Sequence, residues 1–258
     1  MRKSLKPRKA YQADPTLLAN RTILVTGAGD GIGRIAAITY AQYGADLILL
    51  GRTRRKLDSV HDEIAEETGQ SSLIIPVDLA NFDAKSAVEL KRGLEGEYSC
   101  LDGILHNASI LGPKTKIEQY PFDDWMRVFH VNLHSSYLIT QALLPLLRKA
   151  PDASIVFTSS GVGRVGRAYW GAYSLSKFAT EGLTQVLADE LKEDSNIRVN
   201  SLNPGATRTA MRAEAFPSED PQTLPTPKDH MPLYLYLMGP DSSKHTGMSF
   251  NSNDWYHE

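Results

Sequence analysis

Short apolar, β-branched runs alternate along the chain with longer stretches in which apolar residues recur every three or four positions. The short runs predict strands over Thr22–Thr26 (TILVT), Asp46–Leu50 (DLILL), Leu73–Val77 (LIIPV), Leu101–His106, Ser154–Thr158 (SIVFT) and Ile197–Leu202 (IRVNSL), with a last edge strand over Met248–Phe250. The proline of LIIPV is awkward inside a sheet, because it has no N–H to give a neighbour. Helices are predicted over Arg34–Tyr43, stopped by Gly44, over Arg54–Thr68, stopped by Gly69, and over Asp83–Glu97. Two longer ones follow, Phe122–Lys149 and Trp170–Glu193, and Pro145 is expected to kink or end the first. From Gly205 to Pro232 the periodicity fails; Pro217, Pro221, Pro225 and Pro227 crowd this stretch, which reads as an irregular, partly helical lid over a site.

Strands and helices alternating at this spacing call for an α/β fold: a single doubly wound parallel sheet with helices on both faces. No fixed-period repeat or linker divides the chain, so residues 21–258 are read as one domain, with the lid around 205–232. Residues 1–20 are read as an N-terminal extension, basic at Arg2, Lys3, Lys6, Arg8 and Lys9, and expected to be flexible. No apolar stretch follows this basic start, as a secretory signal would require.

Composition narrows the function. With 28 Lys+Arg against 30 Asp+Glu the net charge is -2, which speaks against a nucleic-acid partner. No apolar run reaches the roughly 18 residues of a membrane span. The single cysteine, Cys100, excludes an intrachain disulfide and a cysteine-rich metal site, and favours a reducing, cytoplasmic setting.

Between the first strand and first helix, Thr26–Gly33 reads TGAGDGIG. Glycines there remove the Cβ atoms that would keep a main chain away from a pyrophosphate, and the helix that follows offers free N–H groups and the positive end of its dipole. Gly27, Gly31 and Gly33 are the candidates for close approach, with Ile32 beside them. In open α/β sheets a ligand lies beyond the carboxyl ends of the strands, which selects Gly51 and Arg52 after the second strand and Asp78 after the third. An acid after the second strand would hold the ribose hydroxyls of NAD(H). Arg52 stands there instead and suits a 2′-phosphate, so NADP(H) is favoured over NAD(H). Asp30, inside the turn, sets a negative charge against that preference.

Tyr173 and Lys177 are four residues apart on a predicted helix, hence on one face and within reach of each other. A phenol titrates near 10, so it is a poor base at neutral pH unless a neighbouring ammonium and a cationic oxidised nicotinamide favour the phenolate. So placed, Tyr173 can take a proton from an alcohol or return one to a carbonyl. Thr158, Ser159 and Ser160, at the end of the fifth strand, can supply the hydroxyl that holds the reacting oxygen, or simply cap the following turn.

Taken together, these motifs resemble the short-chain dehydrogenase/reductase family, in its branch of about 250 residues, from about Thr22 to Gly247. T-G-x3-G-x-G matches Thr26–Gly33. The acid that touches the adenine matches Asp78, followed by Leu79. The N-A-G motif appears as Asn107-Ala108-Ser109, its last glycine replaced. The Y-x3-K pair is Tyr173 and Lys177, the serine thirteen residues before the tyrosine is Ser160, and the asparagine of the long central helix is Asn132. P-G-x3-T matches Pro204, Gly205 and Thr209, with Thr207 between them. The run NPGATRTAMRAEAFPSEDP is similar to that of a bacterial group of oxidoreductases without an assigned substrate. The resemblance implies a Rossmann-like fold, a homodimer or homotetramer formed through the two long helices, and hydride transfer between NADP(H) and a carbonyl or alcohol compound. It assigns Ser160 to the reacting oxygen, Tyr173 to proton transfer, Lys177 to the nicotinamide ribose and the tyrosine, and Asn132 to a water-linked proton relay. The glycine-rich end usual after T-G is missing beyond Gly247.

The substrate is less legible. Arg164, Arg167, Tyr169 and Trp170 either edge a basic, aromatic pocket or are loop cations and core aromatics. Met211, Phe216 and Met231 either line an apolar pocket or pack the core. The alternative to an enzyme is a dinucleotide-binding sensor or partner protein that performs no chemistry.

Overall fold

The computed structural model describes residues 11–193, 196–253 and 255. Seven parallel strands form one sheet in the order β3-β2-β1-β4-β5-β6-β7. They are β1 Thr22–Thr26, β2 Asp46–Gly51, β3 Leu73–Pro76, β4 Gly103–His106, β5 Ala153–Thr158, β6 Ile197–Asn203 and β7 Ser249–Asn251. The order reverses between β1 and β4, so a crevice opens beyond their carboxyl ends. Pro76 is tolerated because β3 lies at the sheet edge and pairs with β2 alone.

The pleat sends alternate residues to opposite faces, and each face has its own core. Ile23 and Val25 of β1, with Leu47 and Leu49 of β2, pack against α1 (Gly31–Gln42), α2 (Arg54–Thr68) and α8 (Met231–Met238). Leu24, Ile48 and Leu50 face the other way, toward α3 (Ala84–Glu97), α5 (Ser135–Leu147) and α6 (Gly171–Leu191). Each fully buried leucine contributes about 2 kcal/mol of burial, so Leu49→Ala would open a costly hole in the first core. Asp83 caps α3 by accepting from the Ser86 amide at 2.8 Å, and Gly69, at φ 73°, stops α2 as predicted. No helix among the described residues is long and apolar enough to cross a membrane.

Some boundaries differ from the sequence reading. α1 starts at Gly31 rather than Arg34, because Asp30 caps it from inside the glycine turn. The long central helix runs on past Pro145 for two residues, to Leu147, giving up only the bond that the missing N–H would have made. It is interrupted earlier: α4 (Phe122–Phe129) passes into a π turn over His130–His134 before α5 begins. α8 was not expected, since MPLYLYLM is apolar on every side and carries no period to read. Within the stretch expected as a lid, α7 (Ala210–Ala215) is followed by single 3-10 turns. Residues 11–20, grouped with the extension in the sequence, lie against the domain: Leu18 is fully buried in the first core. The basic residues from Arg2 to Lys9 lie outside the described residues.

Candidate active site

The crevice is a cleft of about 430 Å³. Its first wall is the glycine turn. Thr26, at the end of β1, accepts from the amides of Asn107 (3.0 Å) and Ala108 (3.1 Å), and so ties the turn to the loop after β4. The approach is so close that a Cβ on Gly27 (φ 67°) would lie 2.9 Å from the Ala108 Cα. Gly33 does not face the cleft; it lies behind the turn, where a Cβ would clash with the Gly27 carbonyl oxygen. Gly27, Asp30, Gly31 and Ile32 do line the cleft.

Asp30 does not stand as a free negative charge. It accepts from the Gly31 amide at 2.7 Å and pairs with Lys56, which, with that amide, holds its carboxyl below the usual range. Arg52 lines the cleft next to Thr53 and Lys56, is exposed, and makes no hydrogen bond or ion pair among the described residues. Asp78 and Leu79 line the same end, Asp78 fixed by the Ala80 amide at 3.1 Å. Asn107, Ala108, Pro204, Gly205, Thr207 and Thr209 line the cleft as well, Ala108 and Thr209 next to the glycine turn.

Ser160, Tyr173 and Lys177 share the far wall. Tyr173 and Lys177, one turn apart on α6, are both buried. Burial pushes the Tyr173 phenol up to about 12 against the opposing hydrogen bond from Ser160. Burial also pulls the Lys177 ammonium down to about 8, against the pull of the Glu181 carboxylate. The ammonium lies 5.7 Å from the Tyr173 ring centre and donates to the Thr158 carbonyl at 2.8 Å. Burial, not the ammonium, dominates the phenol in this structure.

Asn132 does not reach the cleft. In the π turn, its side chain accepts from the Ile110 amide (2.8 Å) and donates to the Ile110 carbonyl and the Ser176 hydroxyl (3.0 Å each). It borders a second cavity of about 10 Å³, shared with Lys177, Thr180 and His106, close to the smallest space that admits one water. π turns inside α-helices recur at functional sites.

The family model described as short chain dehydrogenase matches residues 21–220. The chain belongs to the short chain dehydrogenase family. It is 54% identical to the oxidoreductase YciK of Escherichia coli strain K12, over 94% of this chain and 95% of YciK. It superposes with a TM-score of 0.91 on a short chain dehydrogenase from Shigella flexneri 2a str. 301 complexed with NADP, 53% identical and covering 93% of this chain and 100% of that one. The same TM-score and identity relate it to a short chain dehydrogenase from Escherichia coli CFT073 complexed with NADPH, covering 93% and 99%.

Within this short chain dehydrogenase cleft, the far end is closed by Leu111, Trp170, Met211, Arg212 and Ala215. Met211 therefore lines the cleft, Phe216 supports it by packing on Trp170 at 5.8 Å, and Met231 is core. Arg164 is not part of the pocket; it is held by Glu181 (3.0 Å), Asn251 (2.7 Å) and the Phe250 carbonyl (3.0 Å). Tyr169 is exposed and outside the cleft, as is Arg167. Sequence reasoning missed Lys56, Arg127, Leu111 and Arg212. Lys56 had a usable signal: it stands four residues after Arg52, in the first turn of a helix that starts beside the cleft.

Proposed function

We propose that the protein is an NADP(H)-dependent oxidoreductase that interconverts a carbonyl compound and an alcohol, with Tyr173 as general acid or base. The observation that supports this reading is that Tyr173, Lys177 and Ser160 share one cleft with the glycine turn. The cleft fits a dinucleotide: the turn bares its main chain, the first N–H groups of α1 face it, and a guanidinium without a partner among the described residues stands beyond β2. Gly27, Gly31 and Ile32 would take the pyrophosphate, with Gly33 letting the helix close on the turn. Arg52 would take the 2′-phosphate, Asp78 and Leu79 the adenine, and Asn107, Ala108, Pro204, Gly205, Thr207 and Thr209 the nicotinamide half. The NADP and NADPH held by the two solved relatives support this choice of cofactor. Bound there, the nicotinamide would supply or accept the hydride.

The rest is the work of the chain's own residues. Ser160 holds the reacting oxygen. The Tyr173 phenol, protonated at neutral pH by its burial, gives its proton to that oxygen in carbonyl reduction. Lys177 holds the nicotinamide ribose, and its charge favours the phenolate in the reverse direction. Asn132 fixes the wall of the water-sized cavity beside Lys177, through which the proton is exchanged with solvent. The far end, apolar but for Arg212, suits a substrate with an apolar body.

We read 205–232 as the substrate cover and the protein as a cytoplasmic homodimer or homotetramer. Exposed Phe122 and Met126 of α4, with Leu175, Phe178 and Val186 of α6, give two packed helices an apolar outer face that suits self-association.

The test is NADPH oxidation, followed by absorbance, across a panel of aldehydes, ketones and quinones, with Tyr173→Phe as control. Turnover by the wild type and its loss in the variant are expected. Tight NADPH binding without turnover of any compound would overturn the reading.

A further inference from the structure

The helix that carries Tyr173 and Lys177 continues the same face to Glu181, one more turn along. All three residues are buried, at 8%, 3% and 7% exposure. A buried carboxylate is costly unless its lone pairs are met, and these are: Oε1 accepts from Arg164 Nε at 3.0 Å, and Oε2 from the hydroxyls of Ser201 (2.7 Å) and Ser249 (2.5 Å). Those donors hold Glu181 in its charged form. No ion pair links it directly to Lys177, whose ammonium is spent on the Thr158 carbonyl.

We infer that Glu181 is a positioning residue for the proton-handling pair: its carboxylate is the fixed counter-charge that keeps Lys177 an ammonium. The inference rests on the reading of Tyr173 and Lys177 given above. Both residues are buried, so a carboxylate one helix turn from the ammonium is poorly screened, and it opposes the effect of burial on Lys177. The other ionisable neighbours leave it that part. His106 of β4 shares the small cavity with Lys177 and is kept uncharged by burial, which pulls it to about 3. Tyr234 of α8 lies behind Thr158, bonded to its hydroxyl at 3.1 Å, and burial keeps its phenol protonated. Tyr173 is neutral at the same pH. Arg164, paired with the carboxylate at 3.0 Å, is the cation that opposes it.

The pair also reaches the cofactor loop. Arg164 donates to Asn251 Oδ1, as does Asn203 Nδ2 (2.9 Å), and Asn203 Oδ1 accepts from the Gly205 amide at 3.0 Å. β7 is therefore pinned to the loop at Gly205 and to the helix of Tyr173 by one set of bonds.

The two opposite charges predict shifts of opposite sign. Lysine-¹³Cε labelled full-length protein is titrated by NMR, with Lys177 assigned from Lys177→Arg. Glu181→Gln, which keeps the shape but loses the charge and turns one acceptor oxygen into a donor, should lower the Lys177 midpoint by about one pH unit. Arg164→Gln, which removes the opposing cation, should raise it. Glu181→Asp should restore most of the wild-type midpoint. Equal midpoints, or shifts of the same sign in both variants, would overturn the inference. Should Glu181→Gln fail to fold, Arg164→Gln decides: an upward shift supports the role, and an unchanged or lower midpoint refutes it. The titration needs no substrate, so its failure is distinct from that of the oxidoreductase reading, which turns on loss of turnover in Tyr173→Phe.

Discussion

Beyond β1 the cleft is walled by main chain: Gly27 lies against Ala108, Gly33 against the turn, and Thr26 bonds across to the loop after β4. At the opposite end Trp170, Met211 and Ala215 form the wall, with Phe216 behind Trp170. There a cationic side chain bridges the parts: Lys114 donates to the Ala215 carbonyl at 2.6 Å and lies 4.3 Å over the Phe216 ring and 5.0 Å over Trp170. A backbone wall accepts almost no change, whereas a wall of side chains can be recut one residue at a time. The contrast fits a protein in which one end keeps a constant ligand and the other adapts to the compound being turned over.

The sharpest break in this comparison lies between the ends, at the chemistry itself. Tyr173→Phe should cut turnover by about 10³-fold while NADPH affinity, read by fluorescence titration, stays near wild type. Next in size is the backbone end. Gly33→Ala should cost about 2 kcal/mol or more in urea unfolding, while Gly166→Ala, which meets nothing within 4 Å, stays within about 0.5 kcal/mol of wild type; equal costs would remove the distinction. Arg52→Ala should weaken NADPH about tenfold more than NADH, since a 2′-phosphate alone loses its charge-assisted bonds. Equal losses for the two would show that Arg52 touches no phosphate. The smallest effect belongs to the adaptable end: Met211→Ala should alter kcat/KM several-fold, in a direction that depends on substrate size, with NADPH binding held within about twofold.

The same contrast separates what was readable in the chain from what was not. The glycine turn, Arg52, Asp78 and the Tyr173/Lys177 spacing were legible because each rests on a local rule: a bare main chain before a helix, a strand end, one helix face. Gly44, Gly69 and the edge position that admits Pro76 follow from equally local chemistry. Asn132 could be named but not its setting, since nothing in HVNLH announces a π turn. Lys56 and Asp30, twenty-six residues apart, meet only once α2 is laid beside the turn. Arg164 stays open in the sequence between a pocket edge and a loop cation because its partner, Glu181, lies on another element. Pairings of this kind depend on tertiary placement, which periodicity does not encode.

The two outer strands carry a consequence of their own. β3 has four residues, ending in Pro76, and β7 has three. A stray chain seeking to zip onto either rim would find a short row of partners, and on one side a row that stops at a missing amide hydrogen. The sheet thus resists growing sideways into stacks at high concentration, without spending any charged residue of the cleft to do so.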